Sequence, residues 1–245
     1  MSTSPAHLKE LRQRLIVSLV SVVLFGALSY VFAEQIARFF MTPLFLASPD
    51  LIKLVYTSLP EAFITYLKLS LLSGLTLSVP VLLYEIWMFT APGLHAGEKK
   101  TVLTVVFWAT LLFTAGAGFA FFIVLPRVLH FFMGFANPQL TPLPKLSGYL
   151  TFVARTSLAL GLAFEIPFLM VVAVRVRWVG RGYFAANRKY FYLVILLLAV
   201  LLAAGDLTAA VLLCLPLFGL YECGVLISRL FAGKPSGDDS PADGA

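Results

Sequence analysis

Residues 146–174 form one apolar run, and a carboxylate, Glu165, sits inside it within the phrase AFEIPF (163–168). A run of that length suits a helix that crosses a bilayer. A carboxylate at bilayer depth costs roughly 2.5–3.5 kcal/mol on insertion scales. A chain that keeps one uses it, or pairs it inside a bundle. The fold is thereby narrowed to a membrane protein with a polar feature in its interior. Composition agrees: of 245 residues, 60% are hydrophobic and 12% charged, against about 25% charged in a soluble domain. Long unbroken apolar runs stand in place of period-2 alternation, which argues against a β-barrel.

Further apolar segments cover 15–33, 62–84 and 101–125, and a last stretch covers 190–220 with Asp206 as its sole charge. As one helix that stretch would reach roughly 46 Å, well beyond a hydrocarbon core of about 30 Å. Gly205-Asp206 offers a break. The expectation is an all-α polytopic protein of six transmembrane helices, the last two short. Residues 190–204 reach only about 22 Å at helical rise. The first run follows Lys9, Arg12 and Arg14. It is longer than a signal-peptide core of about 7–15 residues, so it reads as an uncleaved first span. Residues 1–233 read as one domain. The Pro/Ser/Gly/Asp-rich tail, 234–245, reads as disordered and cytoplasmic.

Basic residues set the expected orientation. With both termini in the cytoplasm, 12 of the 18 Lys and Arg face inward: Lys9, Arg12, Arg14, Lys99, Lys100, Arg175, Arg177, Arg181, Arg188, Lys189, Arg229 and Lys234. Two proline-bearing loops, 34–61 and 127–147, then face the other side and read as caps on the membrane. In the first, Ser48-Pro49-Asp50 resembles a helix start. Cys214 and Cys223 lie roughly 13 Å apart on one helix, too far for a disulfide. They suggest neither a disulfide framework nor a metal site, and no cofactor is expected.

Four acids before the tail lie at the cytoplasmic side or near it: Glu10, Glu98, Glu85 and Glu222. A partner presenting adjacent arginines would seek carboxylates here, because a guanidinium meets a carboxylate through a planar two-bond fork. A plainer reading pairs Glu10 with Arg14 at i,i+4 and places Glu98 at the positive start of the third span. Phe89, beside Trp87, reads either as an interfacial anchor or as a wall for an arginine through cation–π contact.

Several phrases occur together. Residues 7–15 read HLKELRQRL, 60–70 PEAFITYLKLS, and 80–94 PVLLYEIWMFTAPGL, followed by Glu98-Lys99-Lys100. Residues 118–126 read GFAFFIVLP, 147–152 SGYLTF, 164–167 FEIP, and 215–224 LPLFGLYECG. In this order, spanning nearly the whole chain, they resemble the TatC family, the receptor subunit of the twin-arginine protein translocase. Near Asp206 the family's Thr-Pro-Pro-Asp-like turn reads Ala203-Ala204-Gly205-Asp206, and its following Ser-Gln pair reads Ala209-Ala210; Asp206 itself is retained.

The resemblance implies a curved, concave bundle in a bacterial or archaeal plasma membrane. It implies a receptor for twin-arginine signal peptides that helps export folded proteins using the proton-motive force. The implied signal-peptide site is Glu10, Arg12, Arg14, Phe89 and Glu98. Implied partners are single-span subunits resembling TatA and TatB, and further copies of the chain; no nucleic acid is expected. Glu165 would lie in the concave face, lining a wet cavity and meeting a partner. Pro167 and Pro80 can kink their helices. Lys68 is placed to snorkel outward, and Asp206 is a further candidate.

Two other function classes fit the sequence less well. A secondary transporter could use Glu165 as its coupling carboxylate, but inverted repeats and a broken-helix pair are not evident. An intramembrane enzyme would want a histidine at depth, whereas His7, His95 and His130 sit near span ends or loops. The sequence carries no G-x-x-x-x-G-K nucleotide loop.

Overall fold

A computed structural model describes residues 5–47, 54–90, 99–135, 143–175, 178–180, 182–202 and 207–231. Helix α1 spans Pro5–Val31, followed by the short α2 (Ala33–Phe40) and α3 (Thr42–Ala47). Next come α4 (Glu61–Thr90) and α5 (Lys99–Phe119), which continues through a π-helical turn, Ala120–Val124, into α6 (Leu125–Met133). The remaining helices are α7 (Leu146–Arg175), α8 (Tyr183–Ala186), α9 (Arg188–Leu202) and α10 (Leu207–Phe231). The π turn sits just before Pro126, which has no N–H to continue the helical ladder. The turn carries the rod across that gap without ending it.

Five of these rods are long and apolar enough to cross a membrane: α1, α4, α5–α6, α7 and α10. Helix α9 supplies the sixth. At 15 residues it reaches about 22 Å, short of the hydrocarbon thickness. Its partner corrects an expectation, since α10 has 25 residues and is not short. The apolar count stops at Leu220 because Glu222 follows. That charge is met from α9: Arg188 Nη2 donates to Glu222 Oε2 at 2.8 Å, and the Tyr192 hydroxyl donates to Oε1. The helix therefore runs through it. The third span is likewise longer than 101–125, because Arg127 is exposed and does not interrupt the rod.

The rods pack around a central group of three, with α1 at one side and α10 and α9 at the other. Helix α1 lies mainly on α4; α4, α5 and α7 pack on one another, α5 most extensively on α7; α7 lies also on α10, and α10 on α9. Glycines set the closest approaches. A β-carbon on Gly74 of α4 would run into the backbone of Gly26 on α1. Gly116 of α5 receives the ring of Phe164, and Gly161 of α7 receives the ring of Phe113. Gly224 of α10 seats against Met170 and Pro167 of α7. Flat helix faces at these points let dispersion contacts form where lipid supplies no hydrophobic drive between helices. The rings of Trp87 and Phe168 meet edge-on at 6.3 Å, tying the C-terminal ends of α4 and α7 together. One face of the protein thus carries the start of α1 and the ends of α4, α7 and α10.

On the opposite face, α2 and α3 fold back over the rods. The Tyr149 hydroxyl donates to the Phe40 carbonyl at 2.8 Å and accepts from the Leu44 N–H at 3.2 Å. A parallel bridge joins Val55 to Lys145. Beside it, Glu61 is 7% exposed and accepts from Thr57 N–H and Oγ1, at 2.8 and 3.1 Å. Lys145 Nζ stands 3.6 Å from the same carboxylate. The helix start expected at Ser48–Asp50 and the tail 234–245 lie outside the described residues.

Candidate functional site

The Gly26–Gly74 crossing fixes what meets at the face where α1 begins. Arg14 is twelve residues before Gly26, and Glu85 is eleven after Gly74. On antiparallel rods these are nearly equal distances, roughly 18 and 17 Å along the helices. The two side chains therefore arrive at one level. Arg14 Nη1 donates to Glu85 Oε2 at 3.1 Å. Arg14 also lies one turn from Glu10, whose Oε1 accepts from Nη2 at 2.6 Å and from Nε at 3.2 Å. The result is one guanidinium held between two carboxylates.

These groups border a cavity of about 600 Å³ lined by Lys9, Glu10, Gln13, Arg14, Val17 and Glu85. Exposure is graded: the Glu10 side chain is 40% exposed, Arg14 19% and Glu85 13%. Phe89 follows Glu85 by one turn of α4, half-buried, on the same stripe of that helix. Chemically, the cavity offers carboxylates to a planar cation, with aliphatic and aromatic surface nearby.

Of the residues singled out by sequence, Glu10 and Arg14 come together here, with Phe89 one turn beyond Glu85. Arg12 is exposed on α1 and makes no ion pair among the described residues. Glu98 immediately precedes the first residue of α5, Lys99, and lies outside the described residues, as does Asp206. Lys68 is exposed on α4. Glu222 belongs to the α9–α10 contact, not to this cavity. The resemblance did not place Glu85 in the site. Its sequence signals are its place among the acids near the cytoplasmic side and its i,i+4 spacing to Phe89 at the end of a span.

Glu165 lies elsewhere. It is 4% exposed on α7, one turn beyond Gly161, and neither carboxylate oxygen has a hydrogen-bond partner among the described residues. The structure thus buries Glu165, where the sequence reading placed it on the wall of a wet cavity. Close packing explains the difference: Phe113 on Gly161 and Phe164 on Gly116 bring α5 and α7 together beside it.

The family model for the Sec-independent protein translocase protein (TatC) matches residues 6–216. A protein of that name from Desulforapulum autotrophicum is 38% identical over 236 residues, covering 96% of this chain and 87% of that one. One from Aquifex aeolicus is 33% identical over 230 residues, covering 93% and 95%. A crystal structure of the twin-arginine translocase receptor TatC superposes with a TM-score of 0.85 at 32% identity, covering 93% of this chain and all of that one. Fold, length and sequence agree from the first span into the last, and the chain belongs to the TatC family.

Proposed function

We propose that this chain is the twin-arginine signal-peptide receptor and core subunit of a translocase that exports folded proteins with the proton-motive force. The observation that carries the reading is the cavity at Glu10. There a carboxylate, 40% exposed, already engages a guanidinium through two N–H groups. Glu10 and Glu98 take the peptide's arginine pair, Phe89 walls it, and Arg12 and Arg14 set the local field. A lysine ammonium cannot reproduce the two-bond fork, so the site prefers arginine.

The rest of the reading follows from family membership and chain chemistry. Residues 1–233 act as one unit, and both termini face the cytoplasm. Single-span subunits resembling TatA and TatB, and further copies of the chain, assemble with it, and Glu165, buried in the isolated chain, is the polar group that a single-span partner meets on assembly. The test is photo-crosslinking of a twin-arginine signal peptide, and its twin-lysine counterpart, to the purified full chain. The arginine peptide should crosslink selectively, and Glu10→Gln with Glu98→Gln should abolish the preference. Equal crosslinking of both peptides to the unaltered chain would refute it.

A further inference from the structure

Glu10 and Glu85 are already occupied. Arg14 makes three donated bonds, two to Glu10 and one to Glu85. Both bonds to Glu10 fall on Oε1, and no described residue engages Oε2. The grading of exposure orders the groups from the outside inward: Glu10, then Arg14, then Glu85. A guanidinium entering the cavity reaches Glu10 before Glu85. It can take Oε2 while Arg14 still holds Oε1, and completes its fork only when Arg14 withdraws.

We infer that Arg14 is a built-in competitor, which occupies the peptide-arginine position on Glu10 in the empty receptor, and that Glu85 retains Arg14 when the peptide takes Glu10 over. This inference rests on the reading of Glu10 as an arginine-pair carboxylate. Its physical basis is the cost of stranding a charge. A shielded cation stripped of its partner is strongly destabilised. Arg14 avoids that state because its Nη1 bond to Glu85 survives the exchange. The competitor also sharpens selectivity. An incoming fork replaces the two bonds that Arg14 gives up, whereas a lysine ammonium brings a point charge and replaces them poorly. Discrimination then comes from a threshold as well as from an attraction.

The test is a double-mutant cycle on the full chain in detergent or nanodiscs. It reads the affinity of a fluorescent twin-arginine peptide and of its twin-lysine counterpart. Arg14→Gln removes the competitor, so both peptides should bind more tightly, lysine by the larger factor, and the arginine-to-lysine ratio should fall. Glu85→Gln alone should weaken the arginine peptide about tenfold, on the scale of one charge-assisted hydrogen bond. In the Arg14→Gln background the same Glu85→Gln change should have no effect beyond about twofold.

Equal weakening by Glu85→Gln in both backgrounds would make Glu85 a direct peptide ligand and overturn the inference. Weaker binding of the arginine peptide by a folded Arg14→Gln would overturn it too, by making Arg14 a support for Glu10. Arg14→Lys, which keeps the cation and loses the fork, guards against misfolding of the neutral variant. It should lower the ratio partway, and an unchanged ratio counts against the competitor. The underlying reading fails separately: in that case the unaltered chain does not distinguish the two peptides.

Discussion

A β-carbon on Gly74 would land on the backbone N and Cα of Gly26, while one on Gly26 would meet nothing nearer than Leu71 Cδ2 at 3.8 Å. The contact is asymmetric, so the two glycines should respond differently to the same change. Gly74→Ala must push α1 from α4, and backbone cannot yield as a flexible side chain can. Overpacking of this kind costs about 1–3 kcal/mol. Gly26→Ala fits and should be nearly neutral. Thermal unfolding in detergent would separate them, with only Gly74→Ala lowering the midpoint by several degrees. The same variant should also weaken peptide binding, because the crossing sets the level at which Arg14 meets Glu85. Equal sensitivity at both glycines would mean the helices do not cross here.

The orientation inferred from the basic residues can be read directly. Leu59 is exposed before α4, on the face opposite the start of α1, and Trp178 is exposed after α7, on the other face. On a background with Cys214 and Cys223 replaced, Leu59→Cys should react with an impermeant thiol reagent from outside intact cells. Trp178→Cys should react only after permeabilisation. Reversal of the two would place both termini outside, and labelling of both from one side would defeat the six-span topology.

Much of this architecture was legible because bilayer thickness imposes length on apolar runs. The six spans and the break between 190–204 and the last helix follow from hydropathy and helical rise alone. Helix ends were less legible, for a reason visible at Glu222 and Arg127. A charge ends an apolar count, but a charge met by a neighbour, or exposed along a rod, does not end a helix. The Arg14–Glu10 pair could be read from i,i+4 spacing. Glu85 could not, because it joins Arg14 across 71 positions through a glycine crossing that leaves no periodic trace. The burial of Glu165 was hidden similarly, since it depends on two rings finding two glycines on facing helices.

The pairing of Arg188 and Tyr192 with Glu222 predicts how α9 is held. At about 22 Å this helix is too short to be anchored by the bilayer alone, and its start is pinned to α10 by one carboxylate. Both charged side chains are partly exposed, which screens the pair. Glu222→Ala should therefore cost modestly, about 1 kcal/mol, with Tyr192→Phe costing less. Hydrogen exchange is the sharper measure: amides of α9 should exchange faster in Glu222→Ala while those of α7 stay unchanged. Uniform acceleration across the chain, or none in α9, would show that the carboxylate does not hold this helix.

Glu165 predicts an opposition between stability and function. Its carboxyl is buried with no hydrogen-bond partner among the described residues, a state that costs about 1–3 kcal/mol per orphaned polar group. Glu165→Leu removes that penalty at similar volume and should raise the unfolding midpoint in detergent. Glu165→Gln keeps the shape and much of the polarity, so it should change stability less. If the polar group is retained for contact with a single-span partner, the order of function runs the other way. The leucine variant should lose export and partner crosslinking, the glutamine variant should keep part of both, and peptide binding at Glu10 should persist in each. Burial adds a check on the resting protein. Glu165→Cys should resist a water-soluble thiol reagent that readily modifies Leu59→Cys. A leucine variant that exports normally would leave Glu165 without a functional role, and one that is less stable than the unaltered chain would show that its carboxyl has a partner after all.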